Sequence, residues 1–341
     1  MNQTPITAPL SSRGVSLEEL ADLLRERNNF LIVSHMRPDG DCLGSTLGLY
    51  HGLVQMGKKV AAYNATPLVD KWNFIPGVKN VMNEIPADPY DVTIFVDCGG
   101  VNRVSDDFAP TGTTINIDHH LTNERFGDYN YIDVEACAVG EQIFQLLNTL
   151  SVPVSPEIAS CLYLSILTDT GGFRYSNTSS RALQVAGDLV AAGAQPGDIS
   201  QAVYETREKG EFMLTARALS RLTYELDDHL VWSELFWKDY QECGGIEAEP
   251  EGLVSEMRGV RGVEVSCLMH ETDEGWLRVG FRGKGSVDCS AIAQACGGGG
   301  HFNASGAAIK NKKYAEAKEI VLAEVRKGVQ RWRTEAGVKI R

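Results

Sequence analysis

The chain has 341 residues, 43% of them apolar, with 32 basic and 45 acidic side chains for a net charge of −13. That length favours two domains over one, and no apolar run approaches the ~20 residues of a membrane span. The acidic balance argues against an electrostatic grip on long duplex DNA, while leaving room for a small phosphorylated substrate held by a few local cations or by metal ions.

The first residues, MNQTPITAPLSSRG, lack the basic flank and apolar stretch of a secretion signal. They read as a short flexible tail that leads to a helix near Ser16. Eight cysteines are scattered without a CxxC pair, mostly inside apolar segments. This predicts small buried thiols in a cytoplasmic chain rather than a disulfide framework or a zinc knuckle.

Residues 30–34, FLIVS, predict a strand, and LGSTLGLYHGLVQMG a helix ending at Gly57. KKVAAYN, DVTIFVDCG (91–99), TTINIDHH (113–120) and YNYIDV predict four further strands. AVGEQIFQLLNTL and EIASCLYLSILTDTG read as helices, the second running into an acidic loop. Strands alternating with helices imply an α/β fold: a parallel sheet with helices on both faces.

AGAQPGDIS (192–200) carries the Gly and Pro of a boundary, and 197–228 reads as one or two connecting helices. Then follow a strand in HLVWSELF, a helix in EGLVSEMRGV, strands in GVEVSCLMHE and GWLRVGFRG, and a closing helix from about Lys313 to Glu335. The expected organisation is a catalytic domain over 1–195, a helical connector over 196–228 and a smaller mixed-sheet α/β domain over 229–341.

Ligands of open parallel sheets bind beyond the carboxyl ends of the strands. His35, Asp39 and Asp41 follow one predicted strand, Asp97 ends another, and Asp118, His119 and His120 end a third. Asp169 closes the later helical stretch. Singly, each has an ordinary reading: Pro-Asp-Gly is a turn, and Asp41 is a plausible helix cap. Together they place carboxylates and imidazoles on one rim, where a divalent cation relieves their repulsion. Such donors suit Mn²⁺, with Fe²⁺, Co²⁺ and Zn²⁺ as alternatives. Two ions ~3.5–4 Å apart form a clamp for displacement at phosphorus.

In the second predicted domain, GGGGHFNASG (297–306) lets backbone approach a ligand closely, and FRGKG (281–285) presents Arg282 and Lys284. Phe302 is the nearest aromatic residue for stacking on a base. Arg103, six residues after Asp97, is a further cation within reach of a phosphate.

HMRPDGDCLGS, VDCG, DHH at 118–120 and LTDTGGFRYS, in that order, resemble the four motifs of the DHH phosphoesterase superfamily, and the likeness spans essentially the whole chain. The resemblance implies a hydrolase with two metal ions, usually manganese. His35 and Asp39 would hold the first ion, Asp41, His119 and Asp169 the second, and Asp97 would bridge them. A hydroxide shared by the metals would be the nucleophile, Asp118 would orient a ligand histidine, and His120 would face the scissile phosphate.

The glycine–histidine segment and its basic loop resemble the substrate domain that accompanies DHH in nucleases. On that likeness Arg282, Lys284, Gly299, Gly300, His301, Asn303 and Ser305 are the candidate nucleotide contacts. RGKG departs from the serine that often follows the arginine in relatives. The two domains would close a cleft over a small substrate. Among members of the superfamily, this chain is similar to the compact stand-alone oligoribonucleases and pAp phosphatases. Very short single-stranded RNA and 3′-phosphoadenosine 5′-phosphate (pAp) are the implied substrates, and homodimers are common. Linear or cyclic dinucleotides, RecJ-like exonuclease activity and a non-catalytic nucleotide-binding role are the alternatives.

Overall fold

Two separate β-sheets organise the chain. The computed structural model describes residues 12–85, 89–105, 107–244 and 252–337; the expected N-terminal tail lies, through residue 11, outside them. The chain divides into two compact units, residues 1–206 and 207–341.

In the first unit β1 (Arg13–Gly14) and α1 (Leu17–Glu26) precede β2 (Asn29–Ser34), α2 (Gly40–Gln55), β3 (Lys59–Tyr63) and β4 (Val81–Met82). Then come β5 (Val92–Val96), β6 (Thr113–Asp118), β7 (Tyr129–Ile132), α3 (Val139–Thr149), α4 (Pro156–Asp169), α5 (Ser180–Ala191) and α6 (Pro196–Tyr204). The helix expected near Ser16 starts there because Ser16 and Glu19 form a reciprocal capping box. α4 starts at Ser155, whose hydroxyl accepts from Ile158 N, with Pro156 preset for the first turn.

The seven strands run in the order β1-β7-β6-β5-β2-β3-β4, all parallel. After β2 the chain builds β3 and β4 on one side. It then returns to lay β5, β6 and β7 on the other. This reversal makes β2/β5 the switch point where open sheets bind ligands. In register, Ser34 pairs with Val96 and Val96 with Ile117, so three strands end at one level.

Alternate residues of β2 feed opposite cores. Phe30 and Ile32 join the large cluster to which all six helices described in this unit contribute. Leu31 and Val33 pack with Tyr63, Tyr90, Phe95, Val104 and Phe108. That second face is closed by strand and connecting residues, with Val101 of a 3₁₀ turn (Val101–Arg103) packed against them. This cover is thinner than the helical layer expected for it.

Gly40, Gly44 and Gly48 form a stripe on α2 that seats against α4. A Cβ at these positions would meet Thr168, the Cys161 carbonyl and Leu162 at 2.3–2.5 Å. The two helices therefore touch nearly backbone to backbone, which brings the start of α2 beside the end of α4 at Asp169.

The second unit holds α7 (Lys209–Ser220), β8 (Thr223–Glu225), β9 (Leu230–Leu235), α8 (Trp237–Glu242) and α9 (Leu253–Arg258). β10 (Val265–Glu271), β11 (Leu277–Gly283), α10 (Cys289–Ala295), β12 (Gly299–His301), β13 (Ala304–Ile309) and α11 (Tyr314–Glu335) complete it. The sheet order is β12-β13-β11-β10-β9-β8, with only β9–β10 parallel. Leu230 faces the cluster built on α10 and α11, and Val231 the one built on α7, α8 and α9.

Of residues 196–228, α6 belongs to the first unit, and α7 and β8 to the second. All eight cysteines are buried and free. No helix among the described residues is long and apolar enough to cross a membrane.

Candidate metal centre

The rim at the ends of β2, β5 and β6 gathers the predicted donors. Asp97 lies at its middle. Its Oδ2 is 3.3 Å from His35 Nε2, and its Oδ1 is 3.9 Å from His119 Nε2. One carboxylate thus turns an oxygen toward each of two donor groups. On the first side, His35 Nε2 is also 3.9 Å from Asp39 Oδ1. On the second, His119 Nε2 is 3.7 Å from both Asp41 Oδ2 and Asp169 Oδ2. Donors bound to one ion at about 2.0–2.2 Å stand ~3–4 Å apart.

Local structure fixes each donor. Asp39 caps α2, accepting from Cys42 N at 3.0 Å. Asn64, buried between strands, donates to the His35 carbonyl at 2.9 Å. Asp41 is held by Val139 N (3.0 Å), Gly140 N (3.4 Å) and Ser165 Oγ (2.6 Å). Two of those donors open α3, whose positive end favours a carboxylate. Asp97 has φ +56, a left-handed backbone that aspartate adopts more readily than most residues. Asn177 donates to the carbonyls of Asp169 and Cys137 at 3.1 and 3.0 Å, and Arg174 Nε to Gly171 O at 2.6 Å, so Arg174 anchors its own loop.

Asp118 is wholly buried. Its Oδ1 lies 2.6 Å from His120 Nδ1 and accepts from His119 N at 2.8 Å, while Oδ2 accepts from Asn123 at 2.5 Å. The expectation that Asp118 orients a ligand histidine is therefore redirected. The ring it holds is that of His120, and the His119 ring is set by the Ala136 carbonyl at 3.1 Å.

The electrostatics fit a cation. Burial, reinforced by the charges of Asp97 and Asp169, pushes Asp41 well above the usual carboxylate range. Burial pushes Asp169 up to about 7 against the pull of His119. Burial would lower His119, but Asp41, Asp169 and Asp97 outweigh it and raise the imidazole to about 9. Asp97 is buried too, yet its hydrogen bond to His35 and the charges of the three histidines hold it below the usual range. Carboxylates crowded until some resist ionising are what a divalent ion stabilises. Among the described residues, three donor groups each have their atoms within 4.8 Å of one another: Asp41/His119/Asp169, His35/Cys42/Asp97 and Asp97/Asp118/His119/His120.

Arg103 is exposed at the end of its 3₁₀ turn, and its carbonyl accepts from Met36 N at 2.8 Å, beside the first motif. The other substrate candidates lie in the second unit. His301, Ala304 and Arg282 share one row across β12, β13 and β11. Arg282 donates to the Phe281 carbonyl at 2.9 Å, and the exposed Lys284 to the Val260 carbonyl at 3.1 Å. Asn303 Oδ1 is buried with no donor from the protein. Ser305 is buried, and its hydroxyl donates to Cys289 O at 2.5 Å, which ties β13 to α10.

The glycine run is partly a steric necessity. A Cβ at Gly298 would meet the Gly306 carbonyl at 2.1 Å, and Gly300 sits at φ +136 with Ser305 Cα 2.6 Å from its would-be Cβ. Gly299 has nothing within 4 Å there. Phe302 is half exposed at the hairpin tip.

Several positioning residues escaped the sequence reading: Asn64, Asn123, Ser165, Asn177 and the two N–H groups of α3. Ser165 carried a weak signal, a hydroxyl one turn before Asp169 within the apolar run Cys161–Leu167. The N–H groups carried none.

Residues 29–166 match the DHH family, N-terminal domain, and residues 247–330 match the DHHA1 domain. Over 301 residues the chain is 33% identical to the bifunctional oligoribonuclease and PAP phosphatase NrnA of Thermus thermophilus, covering 88% of this chain and 90% of that protein. Its counterpart in Bacillus subtilis is 28% identical, over 85% and 92% of the two chains. Among solved structures, an exopolyphosphatase-related protein from Bacteroides fragilis superposes with a TM-score of 0.84 at 27% identity, covering 91% of this chain and 95% of that one. The chain belongs to the DHH family, as an NrnA-like phosphoesterase that hydrolyses phosphoester bonds.

Proposed function

We propose that this enzyme degrades very short RNA to mononucleotides and converts pAp to AMP, using two divalent ions, with manganese as the working metal. The observation that carries the two-ion reading is the division of Asp97 between the His35 and His119 groups at 3.3 and 3.9 Å. Support for the substrates comes from the activities for which the two NrnA relatives are named, each matched over more than four-fifths of this chain.

His35, Asp39 and Asp97 would hold one ion, and Asp41, His119, Asp169 and Asp97 the other. When bound, the pair supplies an activated water and positive charge for the phosphoryl oxygens. The chain's own residues do the rest. Asp97, buried and charged, fixes the spacing of the two groups. Asp118 keeps a proton on His120 Nδ1 and stabilises the imidazolium, and His120 is raised above its ordinary range despite burial. A cationic imidazole beside the centre can give its proton to the departing oxygen. In the second unit, Arg282 and Lys284 would take phosphate, and the open backbone at Gly299 with Gly300, His301 and Asn303 would meet the nucleotide.

The test is hydrolysis of pAp, an RNA ladder of two to several nucleotides, the linear dinucleotides pApA and pGpG, and pyrophosphate in parallel, with Mn²⁺ and with EDTA. Manganese-dependent release of mononucleotides from the shortest RNAs, together with AMP from pAp, is the expected outcome. Turnover of pyrophosphate alone would overturn the substrate reading.

A further inference from the structure

Cys42 is a buried potential ligand that the reaction leaves unused. It is the third residue of α2, wholly buried, and its Sγ lies 3.9 Å from the His35 carbonyl. Its sulfur, a His35 ring nitrogen and an Asp97 carboxylate oxygen all lie within 4.8 Å of one another. Cys98 is also next to a ligand in sequence, but it packs in the apolar cluster with Val33, Phe95 and Phe108. A thiol among apolar side chains is a small inert hydrophobe. A thiol facing an imidazole and a carboxylate is half of a soft-metal site.

The two halves of the centre also differ in kind. Around His119 the other close donors are the carboxylates of Asp41, Asp97 and Asp169 and the His120 imidazole. Around His35 they include a sulfur. Hard oxygen donors favour manganese and magnesium, and thiolates favour zinc, cobalt and cadmium.

We propose that Cys42 supplies a sulfur ligand to the ion held by His35 and Asp97, so that this half of the centre, while able to work with manganese, holds thiophilic divalent ions more tightly than the other half does. On binding, the S–H bond breaks, its proton passes to solvent and a sulfur–metal bond forms; no electron changes hands. The assignment rests on the two-ion reading above.

The experiment titrates metal-free, full-length protein with Co²⁺ without oxygen, counting bound ions by equilibrium dialysis and recording the near-ultraviolet spectrum. A sulfur-to-cobalt charge-transfer band is expected in the wild type and in Cys98→Ser. It is expected to vanish in Cys42→Ser and Cys42→Ala, with circular dichroism unchanged and cobalt affinity at that half lowered by about tenfold or more. Bound cobalt without the band in the wild type, or a band that survives in Cys42→Ser, would overturn the role of Cys42 and leave the centre standing. No bound cobalt would sink the two-ion centre, and the Cys42 assignment with it.

Discussion

Asp97 and Asp118 are both buried acids at strand ends, yet the structure gives them different work. Aspartate enters the left-handed region more readily than most residues, and Asp97 holds φ +56 there while facing two donor groups. Asp118 spends its oxygens on His120, the His119 backbone and Asn123. Asp97→Ala is therefore expected to lose both metal binding and turnover. Asp118→Asn is expected to keep its metal but lower kcat by about 10²-fold or more, as general acid catalysis is lost. Metal content by plasma spectrometry beside kcat separates the two, and a metal-replete, active Asp97→Ala would refute the bridging role. Asp169 adds a pH signature. Its folded pKa of about 7 lies above the unfolded value of about 3.9. Its stabilising share is thus complete below about pH 4 and is lost as pH rises through 7. Asp169→Asn carries no charge to bury. Metal-free protein bearing it should melt higher than the wild type at pH 8 and bind manganese more weakly; equal melting points would contradict the crowding of the carboxylates.

At the scale of elements, the α2–α4 contact decides where the ligands sit. Alanine normally stabilises a helix over glycine by about 0.8–1 kcal/mol. At Gly44 the added Cβ would stand 2.4 Å from the Cys161 carbonyl, a backbone atom that cannot swing aside. Overpacking of that kind costs about 1–3 kcal/mol, so Gly44→Ala is expected to be destabilising in urea unfolding; a gain in stability would mean that the helices are not in close contact. A second clamp lies in the other unit. Asp239 in α8 accepts from Arg217 (2.9 Å) and from Arg221, which joins α8 to the end of α7. Burial works against its charge, but these arginines hold it at about 2. Its contribution is present above the unfolded value near 3.9 and is lost as pH falls toward 2.

The sequence legibly announced β2 and β5, because strands buried on both faces read as nearly unbroken apolar runs, and β6 through its β-branched and alternating Thr-Thr-Ile-Asn-Ile. It also placed every acidic motif at an element end. It did not announce α8 and α10, which are too short to show a helical period, or the β12–β13 hairpin, whose glycines carry no alternation. The Asp41 cradle was equally hidden. Val139 and Gly140 act through backbone N–H groups 98 and 99 residues away in sequence, and such groups leave no mark on residue identity.

For the molecule as a whole, every candidate metal donor lies within residues 1–206 and every nucleotide candidate except Arg103 within residues 207–341. Two ligands should therefore leave two footprints. A ligand that binds only the native state stabilises it by about 2.7 kcal/mol at a hundredfold excess over Kd, and the gain falls first on the segments it touches. In hydrogen exchange of the full chain, manganese is expected to slow amides around 34–45, 96–99, 117–121 and 167–171 relative to EDTA. The 281–306 region should be unaffected by the metal alone. A non-hydrolysable pAp analogue should slow 281–306, and Arg282→Ala should erase that second footprint and raise KM more than it lowers kcat. Protection of 281–306 by manganese alone would place a metal site in the second unit. An analogue footprint confined to the rim of the parallel sheet would strip Arg282, Lys284 and the glycine–histidine hairpin of their nucleotide role, leaving substrate recognition to Arg103 and the metal centre itself.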